Sequence, residues 1–240
     1  AIGVASSAGM DDAAMRVGVE TLACVAEDVD DAESSRRRAL SMACAAHTER
    51  VLNFVRDVFA ALGTERSNER DALKTSCVRA AHMWLKLDPS GDVSGGLCVS
   101  PTQLLVAHSA LFSHIVACLA IETAGCGAAA VDMLVELHQG RSGSEQEEFE
   151  AMNAVTRGLL AHGAEASAPS ALDLARNITL VAVSLSERCV NVLVRGDEDS
   201  LKLVALVLSL MELHGREVSE VALDFFIMLA TVGVSSRHAS

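Results

Sequence analysis

The chain has 240 residues, half of them hydrophobic, yet aromatic residues make up only 3% and tyrosine is absent, so leucine, valine and alanine must fill its core. A formal net charge of −13 argues against nucleic acid as a direct ligand, because phosphate binding needs a positive footprint, and it favours basic partners. Only three prolines interrupt the chain and no stretch alternates like a strand, so the expected fold class is all-α.

Residues Met10 to Val25 form the first expected helix, with Met15, Val19, Leu22 and Val25 on one face. An acidic run follows at Glu27, Asp28, Asp30, Asp31 and Glu33, and the sign then reverses at Arg36, Arg37 and Arg38. The run reads either as a solvated helix junction or as an acidic ledge for a basic protein segment, and these five residues are the candidate partner-binding site. Val51, Phe54, Val55, Val58, Phe59 and Leu62 make the cleanest stripe in the chain, closed by Gly63. Leu73, Cys77, Ala80, Trp84 and Leu87 mark the next helix, with Trp84 as a core anchor. Residues 88–101 are turn-forming throughout; Asp88, Asp92 and Gly91 faintly resemble a calcium loop, but the closing glutamate is missing.

Two helices are expected over His108 to Ile121 and Gly127 to His138, then an acidic helix opened by Glu145, Glu147, Glu148 and Glu150, and a flexible link from Gly163 to Pro169. The last third is the most regular. Leu174, Ile178, Val181, Leu185, Cys189 and Val192 step by three or four residues, behind a capping-box-like pair at Ser170 and Asp173. Leu201 to Leu213 is apolar nearly all round, as expected of a helix covered on more than one side. Val218, Val221, Ala222, Phe225 and Leu229 give the final stripe, with Gly196 and Gly215 as helix stops. Short links between amphipathic helices that cannot hide their stripes alone imply an α-solenoid of stacked antiparallel pairs.

Several of these stretches resemble one family. Asp173 to Leu193, followed by Gly215-Arg-Glu-Val-Ser-Glu-Val-Ala-Leu-Asp-Phe225-Phe226, is similar to the HEAT-repeat region of nuclear transport receptors related to transportin-SR, in the importin-β superfamily. Phe226 stands where that family usually has tryptophan. Leu22 to Arg38 is similar to its "L-P-E-E-V", acidic, "R-R" segment, with Ala26 in place of the proline. Val51 to Phe59, Trp84-Leu-Lys-Leu87 and Ala128 to Leu137 resemble further helices of the family, in the same order.

The resemblance implies a single HEAT-repeat segment over residues 1–240, a fragment of a longer karyopherin-like solenoid, acting as a nuclear import receptor. Its implied partners are protein cargo such as serine/arginine-rich splicing factors, the Ran GTPase that releases it, and phenylalanine-glycine nucleoporins, with shuttling between cytoplasm and nucleus. An export receptor and a cytoplasmic HEAT or armadillo scaffold share the architecture and stay open as alternatives.

No enzyme, cofactor or metal is expected from the residues. Glu136-Leu-His138 is not a zinc motif, and His108 and His114 lie on different helix faces. No glycine-rich phosphate loop or G-x-S-x-G elbow is present. Histidines 82, 108, 114 and 138 read as helix-flank or satisfied core residues. The seven cysteines, at positions 24, 44, 77, 98, 118, 126 and 189, contain no C-x-x-C pair and read as reduced, mostly buried thiols. No apolar run is long enough to span a membrane.

Overall fold

The computed structural model describes residues 11–87, 101–139, 145–195 and 197–237. Among the described residues every regular element is helical: α1 (Asp12–Asp30), α2 (Ser34–Ala45), α3 (Thr48–Leu62), α4 (Asn68–Leu85), α5 (Pro101–Ala107), α6 (Ser109–Cys118), α7 (Cys126–Gln139), α8 (Glu145–Ala161), α9 (Gly163–Ala166), α10 (Leu172–Arg195), α11 (Glu198–His214) and α12 (Arg216–Arg237). A 3-10 turn, Thr123–Gly125, joins α6 to α7.

Local chemistry sets the helix ends. Asp11 caps α1 by accepting from the Ala14 amide at 2.7 Å, Ser67 caps α4 through Arg70 at 3.2 Å, and Asp197 caps α11 through Ser200 at 2.7 Å. Gly63 and Gly215 end α3 and α11 with φ of 59° and 64°, a left-handed turn that a side chain would strain.

The helices pack in two rows. One row runs α1, α4, α7, α10, α12, each lying against the next. The other links α3 to α6, α5 to α8, and α8 to α11. Cross-packing of α3 on α4, α6 on α7, α8 on α10 and α11 on α12 joins the rows, and the apolar residues buried between them form one continuous core. Trp84 fastens the start of the first row: fully buried, it donates from Nε1 to the Leu22 carbonyl of α1 at 2.8 Å. The anchor role expected for it holds.

The stripes expected on α1, α3, α4, α10 and α12 face the core, with Val25, Val221 and Leu229 only half-buried. The side chains of Cys189, Val192 and His138, the turn-rich segment over 88–100 and Gly196 lie outside what is described. Other expectations need correction. α11 is not covered on more than one side: Leu203, Val207 and Leu210 are buried, whereas Leu201, Leu208 and Leu213 are exposed, because its neighbours α8, α10 and α12 leave its far face open. Gly163 to Pro169 is no flexible link, since Gly163–Ala166 is a helical turn and Gly163 is buried, where an added Cβ would stand 3.2 Å from Leu206. α10 begins at Leu172, with the Ala171 carbonyl accepting from Ala175 at 2.9 Å, so Ser170 stands before its first turn instead of capping it.

Candidate functional site

A cleft of about 360 Å³ opens between the first turns of α7 and α10, two consecutive members of the longer row. Its floor is built by close backbone approach. The Gly127 amide donates to the Ile121 carbonyl at 3.0 Å, and Asn177 Nδ2 donates to the Leu119 carbonyl at 3.0 Å, so the turn after α6 is held against α10. A side chain at position 127 would force these neighbours to shift. A Cβ there would lie 2.5 Å from Asn177 Nδ2 and 3.1 and 3.2 Å from the Leu119 and Ile121 carbonyl oxygens.

Glu122, Asp132 and Asp173 line the cleft together with Arg176, and Ile121, Val131 and Leu180 supply apolar wall. Three carboxylates stand against one guanidinium, and none of the four is ion-paired among the described residues. A cleft of this size holds one long side chain, and its charge suits a lysine or arginine. No group of three or more possible metal ligands occurs among the described residues.

The acidic run at Glu27, Asp28, Asp30, Asp31 and Glu33 is placed elsewhere and is less uniform than its sequence suggests. Glu27, Asp28 and Asp30 lie in the last turns of α1, Asp31 is its C-cap, and Glu33 is the N-cap of α2 without a side-chain capping bond. Glu27 is half-buried and accepts from Arg79 Nε of α4 at 2.6 Å. Asp28, Asp30, Asp31 and Glu33 are exposed, as are Arg36, Arg37 and Arg38 just beyond them.

Of the histidines expected at helix flanks or in the core, His108 is buried and His82 and His114 are partly buried. His114 stacks on Phe59 with ring centroids 5.3 Å apart. Among the described residues His82 Nε2 and His108 Nδ1 are buried without a hydrogen-bond partner, and Glu136 Oε2 stands 3.9 Å from His82 Nε2. Burial lowers the pKa of all three, and for His82 the Lys86 ammonium adds to this while Glu136 and Asp132 oppose it.

No family model, no curated protein and no solved structure matches this chain. No described helix is long and apolar enough to cross a membrane.

Proposed function

We propose that this chain is a segment of a HEAT-type α-solenoid that binds partner proteins, and that the α7–α10 cleft docks a basic side chain of the partner. The observation that carries this reading is the set of three carboxylates, unpaired among the described residues, around a side-chain-sized opening between adjacent helices of one row. The two-row packing supports the solenoid part, since each helix buries its stripe mainly against its neighbours in a row and across it. The net charge of −13 supports the partner's sign, as it would draw a basic segment toward the chain at low salt.

The test is the binding of a fluorescent arginine-rich peptide, followed by anisotropy across a salt series. Asp132→Asn with Asp173→Asn should weaken binding about tenfold, equivalent to about 1.4 kcal/mol, and increasing salt should weaken the wild-type complex. Asp28→Asn with Asp30→Asn and Asp31→Asn should change it less. Equal loss from both variants, or binding insensitive to both, removes the cleft from the reading.

The narrower use we propose is nuclear import: carrying cargo such as serine/arginine-rich proteins and releasing it to Ran-GTP, with phenylalanine-glycine nucleoporins as pore partners. It rests on the order of the transportin-SR-like motifs. In a solenoid, small rotations between helix pairs accumulate into a change of curvature, which would couple cargo release to Ran binding. A pull-down with Ran held in its GTP form separates a transport receptor from a cytoplasmic scaffold. Cargo affinity that falls when Ran-GTP is added selects import, and affinity that rises selects export.

A further inference from the structure

The 3-10 turn between α6 and α7 faces two ways. Glu122 and Gly125 line the cleft, whereas Thr123 and Ala124, which stand between them in sequence, are bonded to α4. No described residue of α4 is part of the cleft lining. Thr123 Oγ1 donates to Asp71 Oδ2, and Thr75 Oγ1, which also lies 3.0 Å from the Asp71 carbonyl, shares its proton with the Ala124 carbonyl at 3.2 Å. Asp71 and Thr75 are four residues apart on α4, so both side chains leave the same face of that helix. They grip two consecutive residues of the turn from one side, and the neighbours of those residues form the cleft wall on the other.

Stability alone favours neither end of this grip. Asp71 is buried, with a side chain only 3% exposed. Its Oδ2 takes the Thr123 hydroxyl and Arg66 Nε, the latter at 3.3 Å, but Oδ1 has no partner among the described residues. A buried carboxylate left half-satisfied serves a core less well than an apolar side chain of similar size. Ala124 holds a φ of 56°, the only positive φ outside glycine among the described residues. A left-handed alanine persists only where its surroundings enforce it. Holding the turn in one shape accounts for both features.

The flanks of the turn are fixed by other bonds, from the Gly127 amide to the Ile121 carbonyl and from Asn177 to the Leu119 carbonyl. What remains to be set is residues 122–125, and that is the part α4 holds.

We propose that Asp71 and Thr75 are positioning residues for the cleft. Through Thr123 and Ala124 they fix the turn so that the Glu122 carboxylate stands with Asp132 and Asp173 around an entering basic side chain. This rests on the cleft reading given above and adds a control from outside it, since Asp71 and Thr75 touch no ligand and act through the turn. The physical gain is preorganisation. A carboxylate already in place needs no ordering on binding, whereas a released turn lowers the apparent affinity by the fraction of time it spends in the binding shape. A turn in place about one third of the time binds about threefold more weakly. By the same linkage, a basic side chain held by Glu122 tightens the turn against α4.

The test uses the whole chain and the fluorescent arginine-rich peptide, with amide hydrogen exchange as a second readout. Thr123→Val and Thr75→Val keep the side-chain shape and delete the hydroxyl, and each should weaken binding about threefold. Thr123→Ser, which keeps the hydroxyl, should bind close to wild type. In the valine variants the amides of residues 122–127 should exchange several-fold faster, while those of α10 and α12 keep their wild-type rates. Saturating peptide should slow exchange of the same turn amides in the wild type. Thr75→Val leaves Asp71 with its side-chain donors, so it decides the matter if Thr123→Val fails to fold.

Asp132→Asn with Asp173→Asn separates this proposal from the reading beneath it. If that pair weakens binding while the valine variants bind like wild type, the cleft stands and the control from α4 is overturned. If the aspartate pair leaves binding unchanged, the cleft reading itself fails and the control from α4 falls with it. Valine variants that lose protection throughout α10 and α12, or whose weaker binding Thr123→Ser shares, would show general destabilisation in place of positioning and overturn the proposal as well.

Discussion

Trp84→Phe isolates what ties α1 to the rest of the longer row. The substitution removes the indole N–H that donates to the Leu22 carbonyl at 2.8 Å, in a side chain only 1% exposed, together with the pyrrole half of the ring. Leu22 lies within α1, so its carbonyl keeps the helix ladder and the lost bond costs about 1 kcal/mol. The missing ring atoms leave a void that tight neighbours fill only in part, adding about 1–2 kcal/mol. The sum is about 2–3 kcal/mol, or a melting point lower by roughly 4–12 °C in a chain of this size. Trp84 is the only tryptophan, so urea unfolding of the wild type can be followed by its emission and by circular dichroism, and the variant by circular dichroism. Trp84→Ala should cost more, about 3–5 kcal/mol. A midpoint in Trp84→Phe equal to wild type with an unchanged denaturant slope would refute the placement of this ring between α1 and α4.

Gly127→Ala should destabilise the chain by about 1–3 kcal/mol in urea unfolding, because its Cβ drives Asn177 off the Leu119 carbonyl and presses on two backbone oxygens. His82 carries a pH signature: its folded pKa lies below the unfolded value, so the unfolded chain binds the proton first and stability falls as pH drops below about 6.5. His82→Gln should flatten part of the pH dependence of the unfolding midpoint between about pH 7 and 5, and an identical profile in the variant would show that His82 does not contribute.

Much of the fold was legible because it is local. Val51 to Leu62 repeats on a helical period with a glycine behind it, and nothing distant is needed to read α3 from that. α11 shows where this stops. Its apolar residues run round the whole helix, but burial reaches only Leu203, Val207 and Leu210, and which side is covered depends on where α8, α10 and α12 lie. The acidic run illustrates the same limit for charge, since nothing near Glu27 in sequence announces Arg79.

The candidate sites were harder still to see. Asp132 and Asp173 meet across one cleft only because α7 and α10 are neighbours in a row, and each alone looks like an ordinary solvated helix carboxylate. The sequence did hold one usable hint: glycines at 125 and 127 beside a helix start mark a place where backbones come close.

Phe225→Ala turns the row arrangement into a measurement. Phe225 is fully buried on α12 and meets Phe226 edge-on, ring centroids 5.2 Å apart, so truncation should cost about 3–5 kcal/mol. What matters is where that loss appears. If stability is a sum of nearest-neighbour contacts along two rows, amide hydrogen exchange should quicken in α10, α11 and α12, which pack on one another, and stay close to wild type in α1, α3 and α4. If the continuous core instead makes the chain one cooperative unit, the most protected amides of α1 and α4 should lose the same free energy as those of α12. A uniform loss would therefore remove the solenoid from the proposed function while leaving the all-helical fold in place. A gradient that fades from α12 toward α1 would support the stack through its energetics, with no dependence on any resemblance between sequences.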